Sequence, residues 1–163
     1  MKEIGMSMNI LLTGFRGTSS ELLITKANHK YLILPNDKTL DSKLLLENVS
    51  FGRYNYILSF GQKPNIKNKI FIETTARNLD NSINTNFEYT KLKYAFESEN
   101  IPVRISSNAG TSFCNSLYWN GLNFINNECL DTKMIFIHIP FYKNISEPKQ
   151  FFSQILTAIE SIY

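Results

Sequence analysis

Apolar residues along this chain fall into short blocks of two kinds, separated by polar punctuation. The first kind is a nearly continuous apolar run stopped by Gly, Pro or a polar cluster. Residues 8–15 (MNILLTGF), 30–35 (KYLILP), 54–61 (YNYILSFG), 69–75 (KIFIETT), 102–108 (PVRISSN) and 133–140 (KMIFIHIP) are of this kind. Such runs predict strands buried on both faces, as in a parallel sheet. The second kind carries its apolar residues at helical spacing. Residues 19–27 predict a short helix and residues 39–49 a longer one. Residues 86–100 place Tyr89, Leu92 and Phe96 on one face, and residues 111–125 read as helix despite Gly121. The tail, residues 146–162, has Ser146 as an expected cap and Pro148 near the first turn. Phe151, Ile155, Ile159 and Ile162 then mark one apolar face.

Strands alternating with helices predict an α/β fold: three α/β/α layers around a mostly parallel central sheet. At 163 residues, one domain spanning residues 1–163 is expected. In such sheets chemistry gathers at the carboxyl ends of strands. Glu73, Cys114 just past the fifth strand, and His138 lie near such ends.

Composition narrows the function classes. A hydrophobic share of 43% supplies a core, yet no run of eighteen apolar residues exists, so no membrane partner is expected. The opening MKEIGMSMNILLTGF is too short and too broken for a secretory signal. A cytoplasmic location with reduced thiols is the matching expectation. Net charge is +3 with Lys and Arg scattered, which argues against a nucleic-acid partner. Two cysteines and two histidines show no zinc spacing, so no zinc site is expected.

Cys114 follows a glycine turn in SNAGTSFCN. Gly110 permits a sharp turn from strand into helix, and Thr111 or Ser112 can cap that helix. The thiol then lies in the first turn, where unpaired N–H groups favour a thiolate and lower its pKa. On that basis Cys114 is expected to alkylate before Cys129, which has no nearby base. The residue also shares a helical face with Leu117, Tyr118, Gly121, Leu122 and Ile125, which equally suits a small buried hydrophobe. His138, inside IFIHIP, is either a hydrogen-bonded core histidine or a general base. Glu73 interrupts IFIETT; it is solvated at a strand end or orients an imidazole. His29, between Asn28 and Lys30, is expected to be exposed and without a role.

These pieces together resemble the pyroglutamyl peptidase I family, the pyrrolidone-carboxylate peptidases. MNILLTGF resembles the family's opening strand, and ETTARNLD its glutamate segment. IPVRISSNAGTSFCNSLYW is similar to the segment around its nucleophilic cysteine, and FIHIP to its histidine motif. The resemblance implies a catalytic set of Cys114, His138 and Glu73. It implies a cysteine peptidase that removes N-terminal pyroglutamyl residues from peptides through a thioester. His138 would hold Cys114 as a thiolate, Glu73 would fix the imidazole, and N–H groups at the helix start would meet the oxyanion. Phe15, Ser112 and Phe113 fall at substrate-binding positions, with the two phenylalanines around the flat lactam. The mechanism implied needs no metal and no organic cofactor. The partner implied is a peptide bearing N-terminal pyroglutamate, and a homo-oligomer is among the implied assemblies.

The chain departs from the family's pattern in places. The family's loop after the first strand, Phe-x-Pro-Phe-Gly-Gly in form, is FRGTSSE here, keeping only Phe15. The arginine after the glutamate is Thr74, and a later arginine falls near Ile83 and is absent. Ser112 stands where the family has an aromatic, with Phe113 beside it. The truncated Phe15–Glu21 loop and the short link after Glu73 imply a more open site and, with the arginine absent, weaker activity; the shortened segment also implies a smaller or less stable assembly. Two further readings remain open: a weak or inactive relative acting as a binding protein, and a cysteine amidase for another small acyl group.

Overall fold

The computed structural model describes residues 8–163. Residues 1–7, part of the stretch read against a secretory signal, lie outside the described residues. A six-stranded sheet forms the middle layer, in the order β2-β1-β3-β8-β4-β7. Its strands are β1 Ile10–Phe15, β2 Lys30–Leu34, β3 Tyr56–Lys63, β4 Ile70–Glu73, β7 Val103–Ser106 and β8 Lys133–Pro140. Helices α1 Ser19–Ile24, α3 Tyr89–Ser98 and α5 Pro148–Ile162 cover one face; α2 Lys38–Gly52 and α4 Phe113–Asn127 cover the other. The layers and the mostly parallel sheet agree with the sequence reading.

Period-two alternation divides the central strands cleanly between these faces. Leu58, Phe60, Ile70, Ile72, Ile135 and Ile137 pack towards α3 and α5. Leu11, Phe15, Ile57, Met134 and Phe136 pack towards α2 and α4. Gly121 sits in α4 because the helix lies close on β8: a Cβ there would come within 2.5 Å of Met134 Sδ. The helix therefore accepts a poor helix former as the condition of close packing.

Two strands, β4 and β7, run opposite to the other four. β8 pairs parallel with β3 but antiparallel with β4, while β4 and β7 are parallel to each other. The cause is connection length. Only residues 64–69 separate β3 from β4, too few for a parallel crossover, which needs a dozen or more. The chain turns back, and β8 occupies the gap between two strands adjacent in sequence.

Other boundaries are corrected by local chemistry. β3 continues past Gly61 to Lys63. A small hairpin, β5 Thr75–Asn78 and β6 Asn81–Asn84, follows β4, with Leu79 at its tip in the left-handed region (φ 53°). Its polar sequence shows no alternation to reveal it. Ser146 does not cap α5: Glu147 holds the N-cap position, and Ser146 instead exchanges hydrogen bonds with Asn68. Asp37 does cap α2, accepting from the N–H groups of Thr39 and Leu40. His29 is half-buried rather than exposed, 2.7 Å from Glu160 on α5. Among the described residues no helix is long and apolar enough to cross a membrane.

Candidate active site

β3, β8 and β4 present their site residues on the face covered by α2 and α4. Gly61 is opposite His138 in register, and His138 is opposite Phe71. Glu73 is opposite Phe136, two residues along β8 from His138. Because β4 runs against β8, Glu73 does not come to a shared carboxyl edge as the strand reading expected. It approaches the imidazole from the side, diagonally across the antiparallel pair. Nδ1 of His138 lies 2.8 Å from Oε1 of Glu73. Both side chains are buried, the carboxylate completely.

A buried carboxylate is costly unless paired. Burial pushes the Glu73 carboxyl up, but hydrogen bonding from His138, the nearby Ser106 hydroxyl and the charges of His138 and Lys63 hold it below the usual range. The Ser106 hydroxyl is directed at the Asn108 carbonyl (3.3 Å), and Oε2 of Glu73 has no hydrogen-bond partner among the described residues. Oε1 alone therefore orients the carboxylate. Lys63 Nζ also contacts it, at 3.3 Å. From the helix side, the Tyr118 hydroxyl donates to the Glu73 backbone carbonyl (2.8 Å). Tyr118 is one turn beyond Cys114, so this bond fixes α4 against β4.

Cys114 occupies the first turn of α4. Gly110 has φ 87°, the conformation expected of the turn before it. Ser112 stands at the N-cap position, but its side chain makes no capping bond. The N–H groups of Phe113 and Asn115 donate to no acceptor among the described residues, and that of Cys114 faces its own thiol. Room for the thiol comes from β3: a Cβ on Gly61 would lie 2.5 Å from Cys114 Sγ and 2.9 Å from Phe136 Cζ. Beside it, Asn115 and Arg77 exchange hydrogen bonds of 2.9 Å each, and Arg77 Nε donates to the Ser107 carbonyl (3.3 Å). The β5–β6 hairpin is thus docked on the start of α4.

The expectation of a lowered thiol pKa is overturned. Burial, then the negative charges of Glu73 and Asp41, push the Cys114 thiol up to about 12; its own N–H and Lys63 pull the other way without prevailing. No hydrogen bond joins Sγ to His138 among the described residues. The helix-end effect is worth only about 0.3–1 kcal/mol at an exposed site, and burial beside two carboxylates exceeds it. Cys129 is exposed, in the loop after α4.

Cys114 and His138 both line a cleft of about 800 Å³. Phe15, Ser112 and Phe113 line it too. Residues the sequence reading did not select also reach it, including Asn36, Gln62, Lys63 and Phe141. Gln62 and Lys63 follow Gly61 at the carboxyl end of a central strand, and that position was the available signal. Gln62 Oε1 accepts from the Ser19 N–H (3.1 Å), so the β1–α1 loop and β3 share one wall. Among the described residues no group of three or more His, Cys, Asp or Glu side chains is arranged to hold a metal ion.

Residues 84–155 match the sequence profile of a family described as pyroglutamyl peptidase. A pyrrolidone-carboxylate peptidase of Thermosipho melanesiensis is 30% identical over 138 residues, 82% of this chain and 65% of that protein. A pyrrolidone-carboxylate peptidase of Caldanaerobacter subterraneus is 51% identical over a segment of 43 residues, 26% of this chain and 21% of that protein. The chain thus spans just under two thirds of the first relative's length. Pyroglutamyl peptidase I of Bacillus amyloliquefaciens superposes with a TM-score of 0.81 at 19% identity, covering 93% of this chain and 95% of that one. The pyrrolidone carboxyl peptidase of Thermococcus litoralis superposes at 0.78 and 18% identity, covering 94% and 92%. At such identities these superpositions speak to the fold.

Proposed function

Because this chain belongs to the pyroglutamyl peptidase family, we propose that it is a cysteine hydrolase that removes N-terminal pyroglutamyl residues from peptides. The observation that carries the proposal is the buried Glu73–His138 pair, 2.8 Å apart, in the same cleft as a thiol at a helix start.

With Nδ1 of His138 committed to Glu73, Nε2 is the nitrogen free to act on Cys114. The thiol is protonated at rest, so His138 takes its proton as Sγ attacks the carbonyl carbon, rather than storing a thiolate beforehand. Glu73 fixes the tautomer and stabilises the imidazolium as it forms. The carbonyl oxygen becomes an oxyanion, for which the free N–H groups at the start of α4 are the candidate donors. One such donor is worth about 10²–10³ in rate. His138 returns the proton to the leaving amine as the C–N bond breaks, which leaves a thioester on Cys114. Water then gives a proton to His138 and attacks the thioester, releasing pyroglutamate and the thiol. The reaction balances with water alone. Phe15 and Phe113 suit a flat lactam that carries no ammonium.

Turnover of pyroglutamyl-naphthylamide, lost in Cys114→Ala and not matched by alanyl- or prolyl-naphthylamide, is the expected result. Preference for another acyl group would mark an amidase of different specificity. The raised thiol pKa and the missing Sγ–imidazole bond favour one further reading, a non-catalytic relative that binds blocked N-termini. No turnover of any amide, with equal pyroglutamyl-peptide binding by wild type and Cys114→Ala, would select it.

A further inference from the structure

Lys63 joins both halves of the candidate site, and we propose that it is a positioning residue that ties the imidazole's carboxylate to the turn delivering the thiol. The proposal rests on the peptidase reading above for its kinetic consequence, though not for its geometry.

Lys63 lies two residues beyond Gly61 on β3, so both face α2 and α4. Its register partner on β8 is Pro140. The side chain crosses to β4 with its ammonium over the Phe71 ring, 4.6 Å from the centroid. Nζ then meets two acceptors, Glu73 Oε1 and the Asn108 carbonyl, each at 3.3 Å.

The first contact matters because Oε2 of Glu73 has no partner. The carboxylate is held through Oε1 alone, between His138 Nδ1 and Lys63 Nζ. Remove the ammonium, and the group that orients the imidazole keeps a single anchor. The second contact matters because the turn at residues 107–112 is otherwise bonded mainly to itself, through Ser106–Asn108 and Asn108–Gly110. Lys63 and Arg77 are its side-chain ties to the rest of the molecule among the described residues. That turn sets where α4 begins and hence where Sγ sits.

Charge adds to position. The groups facing this corner are Glu73 from β4, His138 from β8, Cys114 from α4 and Asp41 from α2, with Lys69 and Arg104 each 5.6 Å from the Phe71 centroid. Lys63 is the cation in contact with the carboxylate. Without it, the Glu73 carboxylate loses one of the two positive partners that hold it, and the imidazole alone remains against Oε1. With a side chain 26% exposed, Lys63 retains water on one side and tolerates replacement by Met without leaving a buried charge of its own.

The test compares Lys63→Met and Lys63→Arg with wild type, all in a Cys129→Ser background. On pyroglutamyl-naphthylamide, Lys63→Met lowers kcat about 10–100-fold with KM changed less than about threefold. Lys63→Arg restores kcat to within about threefold of wild type. Iodoacetamide alkylation of Cys114 against pH gives a readout that needs no turnover. Lys63→Met moves its rise to higher pH, because the Lys63 charge is one of the influences that lower the thiol. Unchanged kinetics and an unchanged alkylation profile in Lys63→Met overturn the role of Lys63 and leave the peptidase reading standing. So does an arginine variant as impaired as the methionine one. A shifted alkylation profile in a protein that turns over no substrate supports the role of Lys63 and overturns the peptidase reading.

Discussion

Nδ1 of His138 and Oε1 of Glu73 lie 2.8 Å apart across an antiparallel strand pair, with the carboxylate shut away from water. A neutral replacement keeps the shape but loses the charge that favours an imidazolium. Glu73→Gln is expected to lower kcat by about 10²–10⁴-fold with the fold intact by circular dichroism. Activity within a few-fold of wild type would show that His138 works without this partner.

The thiol owes its place to the missing side chain at Gly61. A Cβ there would stand 2.5 Å from Sγ and 2.9 Å from Phe136 Cζ. Gly61→Ala is expected to cost about 1–3 kcal/mol of stability from overpacking. Displacement of Sγ is expected to lower kcat further, by about 100-fold, a loss far beyond what stability explains. Thermal melts and kinetics on the same sample separate the two effects, and a fully active Gly61→Ala would mean that Sγ reacts from elsewhere.

Because burial and two carboxylates push the Cys114 thiol up to about 12, its alkylation should be slow at neutral pH and climb steadily towards alkaline pH. Exposed Cys129 should label first at pH 7. This reverses the order expected from the helix start alone. Peptide mapping after brief iodoacetamide treatment reads it directly. A Cys114 rate that is already flat from pH 6 upward would reveal a standing thiolate.

Asp41 and Glu73 should pull pH stability in opposite directions. Burial raises the Asp41 carboxyl to about 6, against the hydrogen bonds from Ser42. The protonated form is therefore the one the fold favours. Its contribution is complete below about 3.8 and is lost as pH rises through about 6. Glu73, held low, contributes above its unfolded value and loses that contribution only as pH falls through its lowered folded one. Melting temperature should thus decline between pH 4.5 and 7, by an amount equivalent to about 2–3 kcal/mol at most. Asp41→Asn should flatten that decline; an unchanged slope would assign it to another group.

Much of this was legible in the primary structure. β8 matches the run KMIFIHIP residue for residue, because a strand buried on both faces needs an unbroken apolar sequence. Cys114, His138 and Glu73 stood out as polar groups in apolar surroundings. The direction of β4 was hidden, because it depends on a short connection and on a strand 60 residues later taking the place between β3 and β4. The β5–β6 hairpin was hidden because Arg77, Asn78, Asn81 and Ser82 leave no apolar alternation to read. Lys63 was passed over because a lysine after a glycine reads as a solvated strand end. Its contacts come from neighbours that only the sheet order supplies. The thiol's acidity was misjudged because the helix start is local and visible, whereas Asp41 and Glu73 approach through tertiary packing.

The insertion of β8 between β3 and β4 also governs when this molecule becomes competent. A chain emerging in order completes β3 and β4 early, yet the two strands cannot pair with each other in the finished sheet. Each must keep an open edge until β8 arrives, about 60 residues later. Open edges invite pairing with other chains, and joining segments so distant in sequence is slow. His138 arrives on that same last strand, so the carboxylate of Glu73 gains its partner only as the gap in the sheet closes. Hydrolysis, if followed during refolding, would therefore report the closing of the sheet rather than the formation of its helices.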